Sequence, residues 1–308
     1  MLTLKFFGSG QAQYLDHPLV GFPNQHCYYL LCYLVIYRDQ SHDRERLAVT
    51  LWRENDTNDP RKQLRNALWR LRQALKAVDA SHEDYLSSTN EEITFIHTDQ
   101  VWLDIEHFEK TNEQYQEIPG EQLTPDQARQ LEAALQLYTG DLLKNIDEDW
   151  CLYEREWLRK LWLTGMNKLL DYFEATKSYE HALHYGQKIL EYDNVYERIH
   201  LRIMRLYWQL GDRHAAIRQY RRCVQILRDE LDVPPMPETE QLYQRLLSNG
   251  LDPSQPSPTA TASFSHQTVS NQDLVKHALR RVQQLKLIIE EAHTEIHRLE
   301  ALFDQRLP

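Results

Sequence analysis

Residues 60–78, Pro60-Arg-Lys-Gln-Leu64-Arg-Asn-Ala-Leu68-Trp-Arg-Leu71-Arg-Gln-Ala-Leu75-Lys-Ala-Val78, decide the fold. Leu64, Leu68, Leu71 and Leu75 recur at 4-3-4 spacing, the signature of one buried helix face. At about 100° per residue the opposite face carries Lys62, Arg65, Asn66, Trp69 and Gln73, flanked by Arg72 and Lys76. Asp59 is a good N-cap, and Pro60 suits the first helical position. The window holds Arg61, Lys62, Arg65, Arg70, Arg72 and Lys76 and no acid, in a chain whose net charge is −11. That total argues against nucleic acid as a partner. The distribution argues for it, because phosphate contact needs cations gathered on one face.

Upstream, Ser41 to Trp52 reads as a helix with Ser41 as N-cap and an apolar face of Leu47, Leu51 and Trp52. The connector 53–59 is rich in turn formers, so the two helices form a helix-turn-helix. Residues 25–37 read as a buried first helix, although their aromatic and β-branched content is also compatible with a strand. Residues 2–23 read as short strands broken by Gly8, Gly10, Pro18 and Pro23. Downstream, residues 85–97 read as a hairpin turning near Asn90, and Val101–Asp104 as a last short strand. Strands, a helix-turn-helix and then a hairpin make a winged helix, in which an α-helix fits the major groove and the hairpin reaches the backbone or an adjacent minor groove.

From about residue 105 to 249 the pattern is helical, with an internal repeat. Residues 177–183 align with residues 211–217 at an offset of 34, the tetratricopeptide period. The shift pairs Leu170 with Met204, Phe173 with Tyr207, Ala182 with Ala216 and Leu190 with Val224. The repeat aromatics Tyr172, Phe173, Tyr179, Tyr185, Tyr207, Trp208 and Tyr220 read as core, as do Trp150, Trp157 and Trp162. Residues 250–273 are rich in Pro, Ser and Thr and read as a flexible linker. Beyond it a heptad seam runs through Val275, Ala278, Val282, Leu285, Ile289, Ala292, Ile296, Leu299 and Phe303, in a helix over residues 274–306. This tail serves either as a dimerising coiled coil, with Val275, Val282, Leu285, Ile289, Ile296, Leu299 and Phe303 as its seam, or as a cap folded back on the last repeat.

The composition bounds the function. The chain has 308 residues, 42% hydrophobic and 26% charged, enough for two ordinary domains. No apolar run approaches the roughly 18 residues of a membrane span, and the first residues lack the features of a secretion signal. The four cysteines, Cys27, Cys32, Cys151 and Cys223, form no CxxC, which fits a reducing cytoplasm and gives no metal site. His293 and His297 lie four apart, but the intervening Thr-Glu-Ile puts the acid at the wrong offset for a zincin. Nucleophile elbows, phosphate loops and paired-carboxylate motifs are missing, so we expect neither a cofactor nor an enzyme.

These residues resemble a known combination. Residues 1–109 are similar to the OmpR-like winged helix of the SARP (antibiotic regulatory protein) family of bacterial activators, through Arg44-Glu-Arg-Leu-Ala48, Leu51-Trp52 and Leu64-Arg65-Asn-Ala67-Leu68-Trp-Arg70-Leu71-Arg72-Gln-Ala-Leu75. Residues 110–249 resemble its partner, the bacterial transcriptional activation domain. The matching words are Tyr138-Thr-Gly140-Asp-Leu-Leu, Asp149-Trp150, Glu154-Arg155, Glu197-Arg-Ile-His200, Met204-Arg-Leu-Tyr207, Gly211-Asp-Arg213 and Leu231-Asp-Val-Pro234. The resemblance implies sequence-specific binding to double-stranded promoter DNA, often at direct repeats, and recruitment of RNA polymerase. Three departures stand out. Asn194-Val195 replaces the proline usual after the first repeat, Glu91-Glu92 puts acids at the wing tip, and no G-x-x-x-x-G-K-[ST] motif is present. On this reading Arg61, Lys62, Arg65, Asn66, Trp69, Arg70, Arg72, Gln73 and Lys76 face DNA. Arg65, Arg70 and Arg72 suit phosphate or guanine, Asn66 and Gln73 suit adenine edges, and Lys62 and Lys76 suit phosphate. Trp69 either stacks at the interface or packs on a neighbouring wall. The rival reading is a tetratricopeptide-type scaffold whose winged helix no longer binds DNA.

Overall fold

The computed structural model describes residues 1–19, 25–38, 40–52, 59–78 and 81–248. The linker, the heptad segment and the His293/His297 pair lie outside these residues. Among them are ten α-helices and seven short strands, a mainly helical chain with a small β-containing N-terminal region, as the sequence implies.

The N-terminal strands β1 (Leu2–Lys5), β2 (Gln11–Tyr14) and β3 (His17–Pro18) form an antiparallel meander. Gly8 and Gly10 sit between β1 and β2 at φ of 82° and 76°. A Cβ on Gly10 would lie 1.9 Å from the Tyr28 hydroxyl, so the turn requires glycine there on both counts. Helix α1 (Gln25–Ile36) follows, with Cys27, Leu30, Leu31, Cys32, Leu34 and Val35 all buried. It is the expected helix and not a strand.

The first correction concerns the start of α2 (Arg44–Leu51). Its N-cap is Asp43, whose carboxylate accepts from the Arg46 N–H at 2.8 Å, and not Ser41. Ser41 is drawn away because its hydroxyl donates to the Glu92 carboxylate at 2.7 Å. His42–Asp43 form a two-residue strand, β4, paired with β6. Leu47, Leu51 and Trp52 are buried, as their spacing predicts. Helix α3 (Pro60–Ala77) then packs on α1 and α2.

The hairpin β5 (Leu86–Ser88) and β6 (Glu92–Phe95) turns at 89–91 and gains β4 as a third strand, in the order β4-β6-β5. Strand β7 (Val101–Leu103) pairs parallel to β1. The sheet order β3-β2-β1-β7 therefore closes the N-terminal strands onto the residues that begin the helical region.

Helices α4 (Asp104–Gln114), α5 (Pro125–Leu135), α6 (Asp149–Ala175), α7 (Tyr179–Tyr192), α8 (Glu197–Gln209), α9 (Arg213–Leu231) and α10 (Pro237–Ser248) make up the rest. Helices α6 and α7, and again α8 and α9, are antiparallel neighbours whose turns repeat 34 residues apart. Lys177 has φ of 58° and Gly211 φ of 78°. Ser178 N–H donates to the Phe173 carbonyl and Asp212 N–H to the Tyr207 carbonyl, each at 2.9 Å. Ala182 and Ala216 are fully buried where the helices of each pair meet. Most of the repeat aromatics pack against the core as predicted. Trp157 does not: it is half exposed on α6, on a side that the described helices leave largely uncovered.

Residues 1–250 form one compact unit, and a hydrogen-bonded seam explains how. The Asp104 carboxylate, at the start of α4, accepts from the Phe6 N–H at 2.8 Å and the Phe7 N–H at 3.0 Å. The loop after α5 adds a second clasp, in which Gly8 N–H donates to Asp141 O at 3.0 Å, Leu143 N–H to Phe6 O and Lys144 N–H to Gly8 O, both at 2.9 Å. Phe7 fills the space between Phe108 and Tyr138. Burial pushes the Asp104 carboxyl above the ordinary carboxylate range, although those N–H groups favour its charged form.

Candidate nucleic-acid interface

The interface starts from α3. Asp59 caps it, its carboxylate accepting from the Lys62 N–H at 2.8 Å, an interaction worth about 1 kcal/mol. Leu64, Leu68, Leu71 and Leu75 are buried with Ala67 and Ala74. Burying each leucine contributes roughly 1.5–3 kcal/mol, so turning the helix to hide its cations would forfeit several kcal/mol. The rotation of α3 is fixed, and with it the outward face.

That face carries the residues the spacing predicts. Arg61, Lys62, Arg65, Asn66, Trp69, Gln73 and Lys76 are exposed, while Arg70 and Arg72 are half-buried at its margins. Trp69 is 61% exposed, which excludes packing on a neighbouring wall. The cations are not equivalent. Arg61 meets Glu45 of α2 at 2.5 Å, so its charge is already answered. Among the described residues, Lys62, Arg65, Arg70, Arg72 and Lys76 have no acid within salt-bridge distance, and the Arg72 Nε, buried at the helix margin, has no hydrogen-bond partner.

One further cation joins them that the spacing could not place. Arg44, first residue of α2, donates to the Ser88 hydroxyl at 2.9 Å and the Thr89 carbonyl at 3.1 Å, both on the hairpin. Its own N–H donates to Glu91 O at 2.9 Å. Burial and the neighbouring Arg72 and Arg65 hold its guanidinium below the ordinary arginine range. Three guanidinium groups from α2 and α3 thus converge beside the wing, where an anion between them would relieve the repulsion.

The wing tip is built by Thr89, whose hydroxyl accepts from the N–H groups of Glu91 and Glu92 at 3.2 and 3.0 Å. Glu92 is tied to Ser41. Glu91 lines the cleft between wing and α3 together with Asn90, Arg44 and Arg65. Of the two wing acids, Glu91 is the one placed to oppose a phosphate entering that cleft.

The four cysteines are all buried, and none forms a disulfide among the described residues. Burial pushes Cys27 and Cys151 up to about 11 and Cys223 up to about 12, so these three are not reactive nucleophiles at neutral pH. Among the described residues no cluster of His, Cys, Asp or Glu could hold a metal ion, and no helix is long and apolar enough to cross a membrane.

Comparison with known proteins bears on the helical region and on the fold. Residues 103–247 match the model of the bacterial transcriptional activator domain. Among solved structures, the chain is similar to EmbR of Mycobacterium tuberculosis, in complex with a low-affinity phosphopeptide, with a TM-score of 0.67 and 18% identity. The match covers 83% of this chain and 66% of that one, so this chain spans slightly less than two thirds of EmbR's length. No curated protein matches the sequence.

Proposed function

We propose, for a transcriptional regulator of the SARP type with an activator domain at residues 103–247, that it binds promoter DNA through α3 and activates transcription by recruiting RNA polymerase. One observation carries the DNA-binding part. The outward face of α3, with Arg44 beside it, holds cations that no acid among the described residues answers. In this reading Arg44, Arg65 and Arg72 hold backbone phosphate, Asn66 and Gln73 face base edges, and Trp69 lies against the duplex. Lys62 and Lys76 add phosphate contacts at the helix ends.

A scaffold that never meets DNA would leave those cations repelling one another at a cost with no return. The tail also has less reason to be a cap. The end of the last repeat is already covered by α10, with Leu242 and Leu246 buried and Tyr243 stacked on Tyr220 at 3.8 Å. We therefore assign the seam of residues 275–303 to pairing with a second copy, which lets two winged helices act on neighbouring half-sites in the cytoplasm. The test is a gel shift on DNA upstream of the protein's own gene, at low salt. Wild type should bind and Arg65→Ala with Arg72→Ala should not. Binding that survives the double substitution would remove α3 from the interface.

A further inference from the structure

The helical region carries a second cationic helix face. Residues 213–228 of α9 hold Arg213, Arg218, Arg221, Arg222 and Arg228 and no acid, the composition of α3 over again in a chain of net charge −11. Arg213 and Arg228 have roles inside the fold. Arg213 donates to the carbonyls of Leu246 and Leu247 at the end of α10, and Arg228 sits in the last turn of α9, where a cation suits the helix dipole. Arg218, Arg221 and Arg222 have neither role. All three are exposed, and none has an acid within salt-bridge distance among the described residues. The acids around them are engaged or distant. Asp212 caps α9 through the Ala215 N–H. Glu240 accepts from the Tyr220 hydroxyl and the Gln244 amide, and Glu197 from the Met236 N–H. Asp229 and Glu230 stand about two turns beyond Arg222.

The helix presents the three arginines together. At about 100° per residue, Arg218, Arg221, Arg222 and Gln225 fall opposite the buried Ala216, Cys223 and Leu227. Arg218 stands three and four residues from Arg221 and Arg222, spacings that set like charges side by side and destabilise a helix. The repeat does not need them. One period earlier, α7 has His184, Gln187, Lys188 and Glu191 at the same positions, with an acid one turn from its lysine. Ala182 and Ala216 serve the packing of both helix pairs alike, so the arginines are an addition to the architecture.

The surface is polar as well as cationic. Between Arg213 and Arg228 no large hydrophobic side chain is exposed. Protein interfaces centre on apolar and aromatic anchors, whereas the surfaces that meet a duplex are polar and strongly positive. The guanidinium fork also suits the paired oxygens of a phosphate. These features favour nucleic-acid backbone over an acidic protein as the occupant.

The place of α9 in the fold sets which phosphates it meets. Tyr37 of α1 reaches α6 through the Trp150 carbonyl, and α6, α7, α8 and α9 neighbour one another in that order, at about 8–10 Å a step. Helix α9 thus stands up to about 30 Å beyond α6, the rise of roughly nine base pairs, in one compact unit with α3.

We propose that Arg218, Arg221 and Arg222 hold backbone phosphates of the duplex on the flank of the base pairs that α3 reads. They add affinity and orientation without sequence information. The inference rests on the DNA-binding reading above and adds a second contact to it.

Hydroxyl-radical footprinting of the full chain on DNA upstream of its own gene is the test. Wild type should protect backbone beyond the α3 site by roughly one helical turn. Arg218→Gln with Arg221→Gln and Arg222→Gln should lose that outer protection alone. Melting should be unchanged, since the three side chains are exposed. On a duplex that includes the flank, the triple variant should bind about tenfold more weakly, with a salt slope shallower by about two, the loss of two phosphates. On a duplex trimmed to the variant's own footprint, the two proteins should bind alike. If wild type protects nothing beyond that footprint, or the long duplex binds both proteins equally, α9 is not a DNA contact and α3 stands. If wild type binds no DNA, both readings fall. If the triple variant keeps the wild-type footprint and instead loses purified RNA polymerase holoenzyme, the face takes an acidic protein segment and the proposal is overturned.

Discussion

The cations of α3 and the buried arginines of the helical region are the same residue types in opposite circumstances. In the helical region the buried ones are satisfied. Arg155 spends its guanidinium on three backbone carbonyls. Arg202 joins Asp171 and Glu174 at 2.6 and 2.8 Å, tying α8 to α6. On α3, the cations other than Arg61 have no acid to answer them among the described residues. A satisfied cation holds structure together, whereas a gathered, unsatisfied one waits for an external anion. Substitutions should separate the two classes cleanly, the first costing stability and the second costing affinity.

The largest effect should come from Arg155. Arg155→Met keeps most of the volume but leaves the carbonyls of Leu142, Leu143 and Ile146 without their donor, in the loop that clasps Phe6 to Gly8. Breaking a buried charged network costs about 3–5 kcal/mol. Denaturant unfolding should show that loss. If stability is unchanged, the seam between the two halves does not depend on this loop.

Next comes the double substitution on α3. Removing Arg65 and Arg72 should cost about 10²-fold in DNA affinity, at roughly 1–3 kcal/mol for each contact that matters. Melting should hardly move, because neither side chain has an acid partner among the described residues. A joint fall in stability and affinity would break the contrast by making these residues structural. Arg44→Ala tests the intermediate case, a cation leaning on the wing yet facing Arg65 and Arg72. We expect about a tenfold loss in affinity and a salt dependence shallower by roughly one unit of slope, the signature of one phosphate contact removed. A variant that loses stability and keeps the wild-type salt slope would place Arg44 with the structural cations.

The difference between Arg65 and Arg44 also shows what the sequence can hold. Arg65 is legible because its direction follows from the leucines around it, through a period every helix shares. The tetratricopeptide pairing is legible for the same reason, since Ala182 and Ala216 sit one period apart. Arg44 is not, because its place beside the wing depends on a strand of two residues, His42–Asp43, too short to leave a pattern. The same strand moved the cap from Ser41 to Asp43. The seam from Phe6 and Gly8 to Asp104 and Asp141 joins residues about a hundred or more positions apart, and no local spacing encodes such a contact. Trp157 reads as core by composition, and no local spacing reveals that half of it is exposed.

A smaller effect is expected at His200, buried between α8 and α9. Its Nε2 meets Asn194 O and its Nδ1 meets the Gln219 amide, each at 2.8 Å. The neutral ring donates to the first and accepts from the second. Burial, with nearby Arg222, holds its pKa below the ordinary histidine value. The folded state therefore binds its proton less readily than the unfolded chain. Its contribution to stability is complete above about pH 6.5, the unfolded value, and is lost as pH falls through the folded value. Acid titration of wild type should show this fall, and His200→Gln, which cannot gain a proton, should flatten it. An unflattened curve would mean that the carboxylates alone set the acid limit.

Lys177 supplies a third kind of cation, whose charge serves neither class. It occupies the left-handed turn between α6 and α7 at φ of 58°, where the second repeat has Gly211 at 78°. A side chain in that conformation costs about 1–2 kcal/mol, partly offset by the greater freedom glycine brings to the unfolded chain. Lys177→Gly should therefore stabilise the protein by about 0.5–1 kcal/mol and raise its melting temperature by a few degrees, roughly 1–3 °C for a unit of this size. If the chain binds DNA as proposed, loss of a positive charge would, by net charge alone, weaken binding. Lys177 belongs to neither α3 nor the wing, and its loss should instead leave DNA affinity and its salt slope unchanged. A gain in stability with no change in affinity separates backbone geometry from charge at one residue. A drop in affinity would show that DNA feels the whole field of the chain and not the α3 face alone.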